Sequence, residues 1–235
     1  MERASRWRRW LAAPAPPSAA AQTRPTFFDE PSEIRVIGRA SAAHAPLPLV
    51  VFLAATGGTS AEMFTRMHQA VPFERYVALL PPGRPARADY LPRFRDFVDW
   101  MEERILPDLE RARAQHTVDP ERIYLVGFSL GGDTSWALLA RRPDLFRGAV
   151  VMGSRSGARV PSRKLRLMRE RGVRVAFAIG REDRAVRVSG IQRAHRRMLE
   201  AGVPTRLDLY PGEHVPPPDP EMLAALFRFV MIGSP

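Results

Sequence analysis

The sequence predicts one α/β domain, in which a mostly parallel central sheet carries helices on both faces. Apolar runs of strand length alternate along the chain with amphipathic runs of helix length, which is the pattern of repeated strand–helix units. Residues 47–53 are continuously apolar apart from one proline, as expected for a parallel strand that is buried on both faces. The 235 residues contain no internal repeat and no second domain boundary.

The predicted elements follow one another in chain order. Strands are predicted at 32–38 (an edge strand), 47–53, 75–80, 122–126, 148–152, 173–179 and 205–210, and helices at 62–70, 93–116, 132–141, 162–171, 188–201 and 219–231. The clearest of these is helix 93–116, whose apolar residues recur every three or four positions and predict a buried stripe. Pro107 is predicted to kink this helix because it removes a backbone donor, and the Pro- and Arg-rich residues 81–92 are predicted to form a loop.

Composition excludes several kinds of site. The chain has no cysteine, so disulfides, thiolate metal sites and a cysteine nucleophile are excluded. The formal net charge is +11 and Lys164 is the only lysine, which indicates an arginine-biased composition. Because the charges beyond the first 25 residues look interleaved with acids, we expect a solvated basic surface and no nucleic-acid binding.

Residues 1–25 predict a disordered tail rich in Ala, Pro and Arg, ahead of a single domain at 26–235. The apolar stretch at 11–13 is far shorter than the core of a secretory signal, so we expect a cytoplasmic protein. The pair Arg8-Arg9 keeps a twin-arginine export signal as a weaker alternative, and a misplaced start codon is another. No apolar run is long enough to predict a membrane span.

The pentapeptide Gly127-Phe-Ser-Leu-Gly131 lies between a predicted strand and a predicted helix. This setting is typical of a nucleophile elbow, in which glycines permit a sharp turn and the turn exposes the serine hydroxyl at the edge of the sheet. Ser129 is therefore a candidate nucleophile. A serine hydroxyl needs an imidazole to accept its proton and a carboxylate to orient that imidazole.

Two later strand ends supply both groups. Asp183 follows strand 173–179 and His214 follows strand 205–210, so the chain order is Ser, Asp, His. Glu182 and Asp208 compete for the carboxylate role. The competing histidines are His44 in a linker, His68 on the helix after the second strand, and His116 and His195 in Arg-rich stretches where we expect them to be solvated.

With these motifs, residues 32–232 resemble an α/β-hydrolase of the small serine esterase type, similar to the phospholipase/carboxylesterase and dienelactone-hydrolase-like groups. The resemblance rests on Gly127–Gly132, on the loop from Gly180 through Asp183 to Val186, and on Pro211–His214. It implies that Ser129 is the nucleophile, His214 the general base and then acid, and Asp183 the orienting carboxylate. No cofactor is implied, and we see no metal-binding motif in the sequence.

The resemblance also implies an oxyanion hole made of two backbone N–H groups. One donor is Leu130, the residue after the nucleophile. The other comes from the loop after strand 47–53, where relatives usually have a His-Gly pair and this chain has Ala54-Ala55. Thr56 is our choice of donor and Gly57 is the alternative.

Only about twenty residues separate strands 148–152 and 173–179, so we expect no large cap domain and an open site. The implied activity is hydrolysis of a small or medium carboxylic ester through an acyl-enzyme. A thioesterase, a small peptidase and a non-catalytic binding protein of the same fold are the alternatives. Five loop arginines are candidates for steering an acidic substrate: Arg84, Arg87, Arg155, Arg159 and Arg163. The sequence identifies no substrate-binding residues and no oligomeric state.

Overall fold

A computed structural model describes residues 30–39 and 45–233. The predicted tail at 1–25 and His44 lie outside the described residues. The seven strands of the described ranges form one sheet in the order β1-β3-β2-β4-β5-β6-β7. The strands are β1 (Glu33–Ile37), β2 (Leu47–Leu53), β3 (Tyr76–Leu80), β4 (Val118–Phe128), β5 (Gly148–Met152), β6 (Arg174–Gly180) and β7 (Thr205–Tyr210).

All neighbouring strands are parallel except β1, which pairs antiparallel with β3 at one edge. The predicted α/β architecture with a mostly parallel sheet is confirmed. The residues of β2, β3, β5 and β6 are almost entirely buried, as the continuous apolar runs indicated. The carboxyl ends of the parallel strands meet at one edge of the sheet, which is where sites of open α/β folds lie.

Helices cover both faces of the sheet. They are α1 (Ser60–Met67), α2 (Arg87–Tyr90), α3 (Phe94–Gln115), α4 (Leu130–Arg141), α5 (Ser162–Glu170), α6 (Ala185–Glu200) and α7 (Pro220–Met231), with a 3-10 turn at His68–Ala70. One buried cluster joins the sheet to α3, α4, α5 and α6, and a second joins the opposite face to α1 and α7. The two clusters are the two apolar layers that a doubly covered sheet requires.

Helix α3 buries the predicted stripe, with Phe97, Met101, Ile105, Leu109 and Ala112 all inaccessible or nearly so. It continues through Pro107 for 22 residues without ending there. The neighbouring Asp108 is also buried. Its carboxylate accepts the N–H of Ser32 at 2.9 Å and a bond from Arg111 at 3.0 Å, so it ties the segment before β1 to α3.

Local details differ from the sequence predictions. The loop predicted at 81–92 contains the one-turn helix α2, and the Asp89 side chain accepts the N–H of the N-cap residue Ala86 at 2.7 Å. Strand β4 starts at Val118, before the predicted 122, because Val118 already pairs with Leu47 of β2. The register between the two strands then shifts before Leu49 pairs with Ile123. Helix α1 starts at Ser60 because Thr59 and Glu62 form a capping box.

The connection from β5 to β6, residues 153–173, holds the nine-residue helix α5 and nothing larger. The fold therefore has no large cap domain at this point, as predicted. None of the helices within 30–39 and 45–233 is both long and apolar enough to traverse a bilayer.

Candidate active site

Ser129 sits at a sharp turn between the last residue of β4 and the first residue of α4. Its backbone lies in the left-handed region at φ 57° and ψ −116°, which is costly for a residue with a side chain. The turn is held by its neighbours. A Cβ atom added at Gly127 would lie 2.2 Å from the backbone of Gly131, and one added at Gly131 would lie 2.2 Å from the carbonyl oxygen of Leu53. Only glycine fits at either position, which is the physical basis of the motif.

The structure brings together the side chains of Ser129, Asp183 and His214, which the sequence predicted to meet. His214 Nε2 lies 2.8 Å from Ser129 Oγ, and His214 Nδ1 lies 2.7 Å from Asp183 Oδ2. Ser129 and Asp183 are buried, while His214 remains partly exposed. The three groups thus form one hydrogen-bonded chain from carboxylate through imidazole to hydroxyl.

The second oxygen of Asp183 is also engaged. Oδ1 accepts the backbone N–H of Arg184 at 2.7 Å and lies 3.8 Å from the Arg187 guanidinium, one turn into α6. These contacts fix the orientation of the carboxylate. The oxygen facing His214 is therefore left with a defined direction.

The competing carboxylates do not contact the imidazole. Glu182 instead accepts the backbone N–H of Gly212, two residues before His214, and so supports the loop that carries the histidine. Asp208 pairs with Arg206 along β7 at 2.9 Å.

The other described histidines lie in different surroundings. His68 stacks on Phe64 with the ring centroids 4.7 Å apart and its Nδ1 lies 3.1 Å from the Phe64 carbonyl oxygen. His116 and His195, which we expected to be solvated, are both partly buried. Burial lowers the pKa of His195, whose ring meets Phe177 edge-on at 6.4 Å.

Phe128 and Gly153, which the sequence did not identify as site residues, shape the wall behind His214. The Phe128 ring lies 4.8 Å from the imidazole, centroid to centroid, at an angle of 30°. Gly153 stands beside both rings with φ 56°, and a Cβ atom there would lie 2.5 Å from Phe128 and 3.2 Å from His214 Cε1. Phe128 occupies a variable position of the elbow motif, so only its apolar character signalled a packing role.

The loop after β2, residues 54–59, is fixed by the loop after β3. Gly57 donates its N–H to the carbonyl oxygen of Pro85 at 2.8 Å, and its own carbonyl oxygen accepts a bond from Arg84 at 2.5 Å. Arg84 also binds Glu62 at 2.7 Å. The amide of Gly57, our alternative oxyanion donor, is thus already engaged.

The other backbone N–H groups of this region differ in whether they already donate a hydrogen bond. Gly58 donates its N–H to the Ala55 carbonyl at 3.1 Å, while the Thr56 hydroxyl and the Tyr90 hydroxyl share a hydrogen bond at 2.7 Å. Leu130 is the first residue of α4, so its N–H has no acceptor within the helix. Neither Thr56 nor Leu130 uses its amide in a backbone hydrogen bond of the described residues.

A buried network lies one helical turn after Ser129. The Asp133 carboxylate accepts hydrogen bonds from the Ser154 hydroxyl at 2.8 Å, from the Arg155 amide at 2.7 Å and from the Arg155 guanidinium at 2.8 Å. Arg155 also stacks over Phe94 at 5.7 Å. Arg155 and Arg84 thus bind partners within the protein, although Arg84 is itself exposed; Arg87, Arg159 and Arg163 are exposed as well.

Over the described ranges, no group of three or more acidic or imidazole side chains is arranged to hold a metal ion.

Comparisons with known proteins identify the family and the fold. A family model described as "Dienelactone hydrolase family" matches residues 36–214. Among solved structures, the chain is similar to esterase PE8, with 19% identity over 86% of this chain and 100% of that chain and a TM-score of 0.61. It is also similar to a carboxylesterase from Bacillus cereus, with 15% identity over 86% and 95% of the two chains and a TM-score of 0.59.

A third similar structure is FphF from Staphylococcus aureus, described as a fluorophosphonate-binding serine hydrolase. It is 11% identical over 87% of this chain and 99% of that chain, with a TM-score of 0.54. At these identities the structures establish the shared fold. A search of curated protein sequences found no significant match. Because the family model spans most of the chain, the protein belongs to the dienelactone hydrolase family of the α/β-hydrolase superfamily, a family of hydrolases acting on esters.

Proposed function

We propose that this protein is a serine hydrolase that cleaves small or medium carboxylic esters through an acyl-enzyme intermediate. The observation that carries the proposal is the hydrogen-bonded chain from Asp183 through His214 to Ser129. A serine without such a partner is a poor nucleophile at neutral pH, and this arrangement supplies both the proton acceptor and the group that orients it.

In the first half of the reaction, Ser129 Oγ attacks the ester carbonyl carbon while His214 Nε2 takes the hydroxyl proton. Asp183 accepts a hydrogen bond from Nδ1–H and stabilises the imidazolium that forms. The tetrahedral intermediate collapses when Nε2 returns the proton to the leaving alcohol. Ser129 then carries the acyl group as an ester.

In the second half, water enters the position that the alcohol has left. His214 removes one proton from this water as it attacks the acyl carbon, and then returns the proton to Ser129 Oγ when the acid leaves. The enzyme is restored without a cofactor, because each proton taken by the imidazole is given back within the cycle.

The oxyanion of both intermediates needs two donors that are already in place. We assign the amides of Leu130 and Thr56 to this role. The Gly57 amide is a weaker candidate because it donates to Pro85 at 2.8 Å. The Thr56 hydroxyl shares a hydrogen bond with the Tyr90 hydroxyl at 2.7 Å. This bond restrains Thr56, whose amide we assign as the second oxyanion donor.

The preference for small or medium esters follows from the surroundings of the site. The connection between β5 and β6 carries only α5, so no cap domain there encloses a long acyl chain. Val186 and Val215, close in sequence to Asp183 and His214, are 61% and 46% exposed and offer apolar surface near these two residues. Such a surface suits a short apolar group in an open site.

The test is hydrolysis of p-nitrophenyl esters of rising acyl length, with fluorophosphonate labelling alongside. We expect wild type to hydrolyse the short esters and to be labelled, and Ser129→Ala to lose both properties. Ser135→Ala is the matched control, because Ser135 lies on α4 in full burial with no hydrogen-bond partner for its hydroxyl among the described residues. Equal labelling of Ser129→Ala and wild type contradicts the proposal, and faster cleavage of long-chain than short-chain esters contradicts the size preference.

A further inference from the structure

The positive charge of this chain is concentrated in one segment. Residues 30–154 carry equal numbers of basic and acidic side chains, and residues 201–235 have a net charge of −2. Residues 155–200 hold fourteen basic side chains against four acidic ones, a net charge of +10 out of +11 for the whole chain. The expected interleaving of charges therefore holds for the first part of the domain but fails here.

Most of this segment forms α5 and α6, which present their arginines to solvent. Arg163, Arg166 and Arg169 are exposed on α5 at three-residue spacing, which places them along one side of the helix. On α6, Arg193, Arg196 and Arg197 are exposed in the same way. We call these six arginines the α5–α6 basic face.

The two helices adjoin one another. The Arg197 guanidinium donates to the carbonyl oxygen of Val160, just before α5, at 2.9 Å. At the C-terminal end of α5, a Cβ atom added at Gly202, just after α6, would lie 3.2 Å from the Arg169 side chain. The arginines of the two helices thus belong to one continuous surface.

The charges of this surface are not neutralised within the protein. In the same segment Arg155, Lys164, Arg171 and Arg187 each lie within 4.0 Å of an acidic side chain. Within the described part of the chain, none of the six arginines of the α5–α6 basic face has an acidic side chain at that distance. An uncompensated face of this kind attracts an anionic surface over about one Debye length, roughly 8–10 Å.

We propose that the α5–α6 basic face docks the protein on a bilayer that contains anionic phospholipid. Guanidinium groups bind phosphate oxygens with two parallel hydrogen bonds, and a row of six matches the repeated headgroups of a membrane surface. Leu199 lies on α6 among these arginines and is 55% exposed, so it supplies an apolar contact at the interface. Neither helix carries a Phe, Tyr or Trp that would stack on a nucleic-acid base.

Helix α6 begins two residues after Asp183, at the edge of the sheet where the parallel strands end. The arginines of the α5–α6 basic face lie in the second half of α6 and on α5, and the segment just before α5 contacts Arg197 near the end of α6. Docking through this face would therefore place the side of the domain against the bilayer. The proposal concerns where the protein acts and does not depend on the reaction it catalyses.

The experiment is co-sedimentation of the full chain with vesicles of phosphatidylcholine alone or with about one third phosphatidylglycerol. We expect binding to the anionic vesicles only, and a fall in binding as salt rises. Each arginine near an anionic membrane is worth about fivefold in binding. The triple variant Arg163→Gln, Arg166→Gln, Arg169→Gln should therefore bind at least tenfold more weakly.

The matched control changes the same number of charges elsewhere, through Arg39→Gln, Arg66→Gln and Arg95→Gln, which are exposed arginines of the electroneutral segment. Circular dichroism and esterase activity on a short soluble ester establish that both variants are folded. Equal loss of binding in the two variants, or equal binding to neutral vesicles, overturns the proposal. So does absence of vesicle binding, including the case in which the α5 variant loses retention of a 30-base-pair DNA duplex instead.

Discussion

Gly57 donates its backbone N–H to the carbonyl oxygen of Pro85 at 2.8 Å. This bond joins the loop after β2, which carries our proposed oxyanion donor, to the loop after β3. Arg84, from the loop after β3, also links the two loops by donating hydrogen bonds to the Gly57 carbonyl oxygen and to Glu62. The position of Thr56 therefore depends on a segment that has no part in the chemistry, and this dependence can be measured.

Removing the Arg84 side chain should slow catalysis without weakening substrate binding. Arg84→Ala leaves Thr56 attached to the chain but frees the carbonyl of the next residue, so the oxyanion donor is less well placed. Loss of a whole donor costs about a hundredfold or more in kcat, so loosening one should lower kcat about three- to tenfold with KM nearly unchanged. Steady-state kinetics on p-nitrophenyl acetate gives both constants.

Arg228→Ala is the control for this variant, because Arg228 forms a similarly exposed ion pair with Glu221 on α7. We expect its kcat to match wild type. If both variants lose activity equally, Arg84 has only a general structural effect.

Asp183→Asn should reduce kcat by about a thousandfold or more while the protein stays folded. The amide cannot hold the Nδ1–H tautomer and stabilise the imidazolium as the carboxylate does; in a serine protease the corresponding change costs about ten-thousandfold. Among the described residues the Asp208 carboxylate pairs only with Arg206, so Asp208→Asn should leave kcat within about twofold. A small effect of Asp183→Asn on kcat rules out Asp183 as the orienting group.

Gly153→Ala should disturb the imidazole rather than the serine. The added methyl would lie 3.2 Å from His214 Cε1 and closer still to Phe128, at a backbone φ of 56° that disfavours alanine. We expect a fall in kcat of at least tenfold, together with slower fluorophosphonate labelling. Unchanged labelling kinetics in a folded variant shows that the ring has room to adjust.

Gly132→Ala should destabilise the fold, because its Cβ atom would lie 2.4 Å from the carbonyl oxygen of Met152 in β5. Forcing a methyl group into a packed site of this kind costs about 1–3 kcal/mol. Gly157→Ala is the matched control, since no atom lies within 4 Å of the corresponding position. Urea unfolding followed by tryptophan fluorescence measures both variants, and equal free energies of unfolding contradict the steric argument.

The pH dependence of stability should contain a contribution from His195. Burial lowers the pKa of this imidazole below its usual 6.5, so the unfolded chain binds the proton more readily than the folded chain. His195 therefore contributes stability above pH 6.5, and that contribution is lost as the pH falls through the lower pKa of the folded state. His195→Gln removes this titration, so the free energy of unfolding should fall less steeply between pH 7 and 5 than in wild type. Parallel pH profiles for the two proteins count against it.

Much of the fold followed from local patterns, because each buried strand and each amphipathic helix leaves its period in the sequence. The positions of Ser129, Asp183 and His214 after three of the parallel strands indicated which groups would meet, since parallel strands end at one edge. The bond between Gly57 and Pro85 and the wall made by Gly153 could not be predicted in this way. They join loops from different strands, and nothing in either loop specifies the other's path.

The charge distribution could be predicted only in part. The excess of arginine in residues 155–200 is visible in the sequence itself. Ion pairs depend on the assembled surface: Arg141 meets Asp99 and Glu102, about forty residues away, where α3 and α4 pack. Within the described residues, the six arginines of the α5–α6 basic face have no such acidic partner.

The junction between β6 and β7 has a mechanical consequence. A Cβ atom at Gly180 would lie 2.1 Å from the Gly212 carbonyl oxygen, and Arg181 and Glu182 bond to the segment that leads to His214. The loops bearing Asp183 and His214 are therefore joined directly to each other, whereas Ser129 is held by β4, α4 and β5. A change that displaces one of these two loops should displace both, so it alters the contact between His214 and Ser129 before the one between His214 and Asp183.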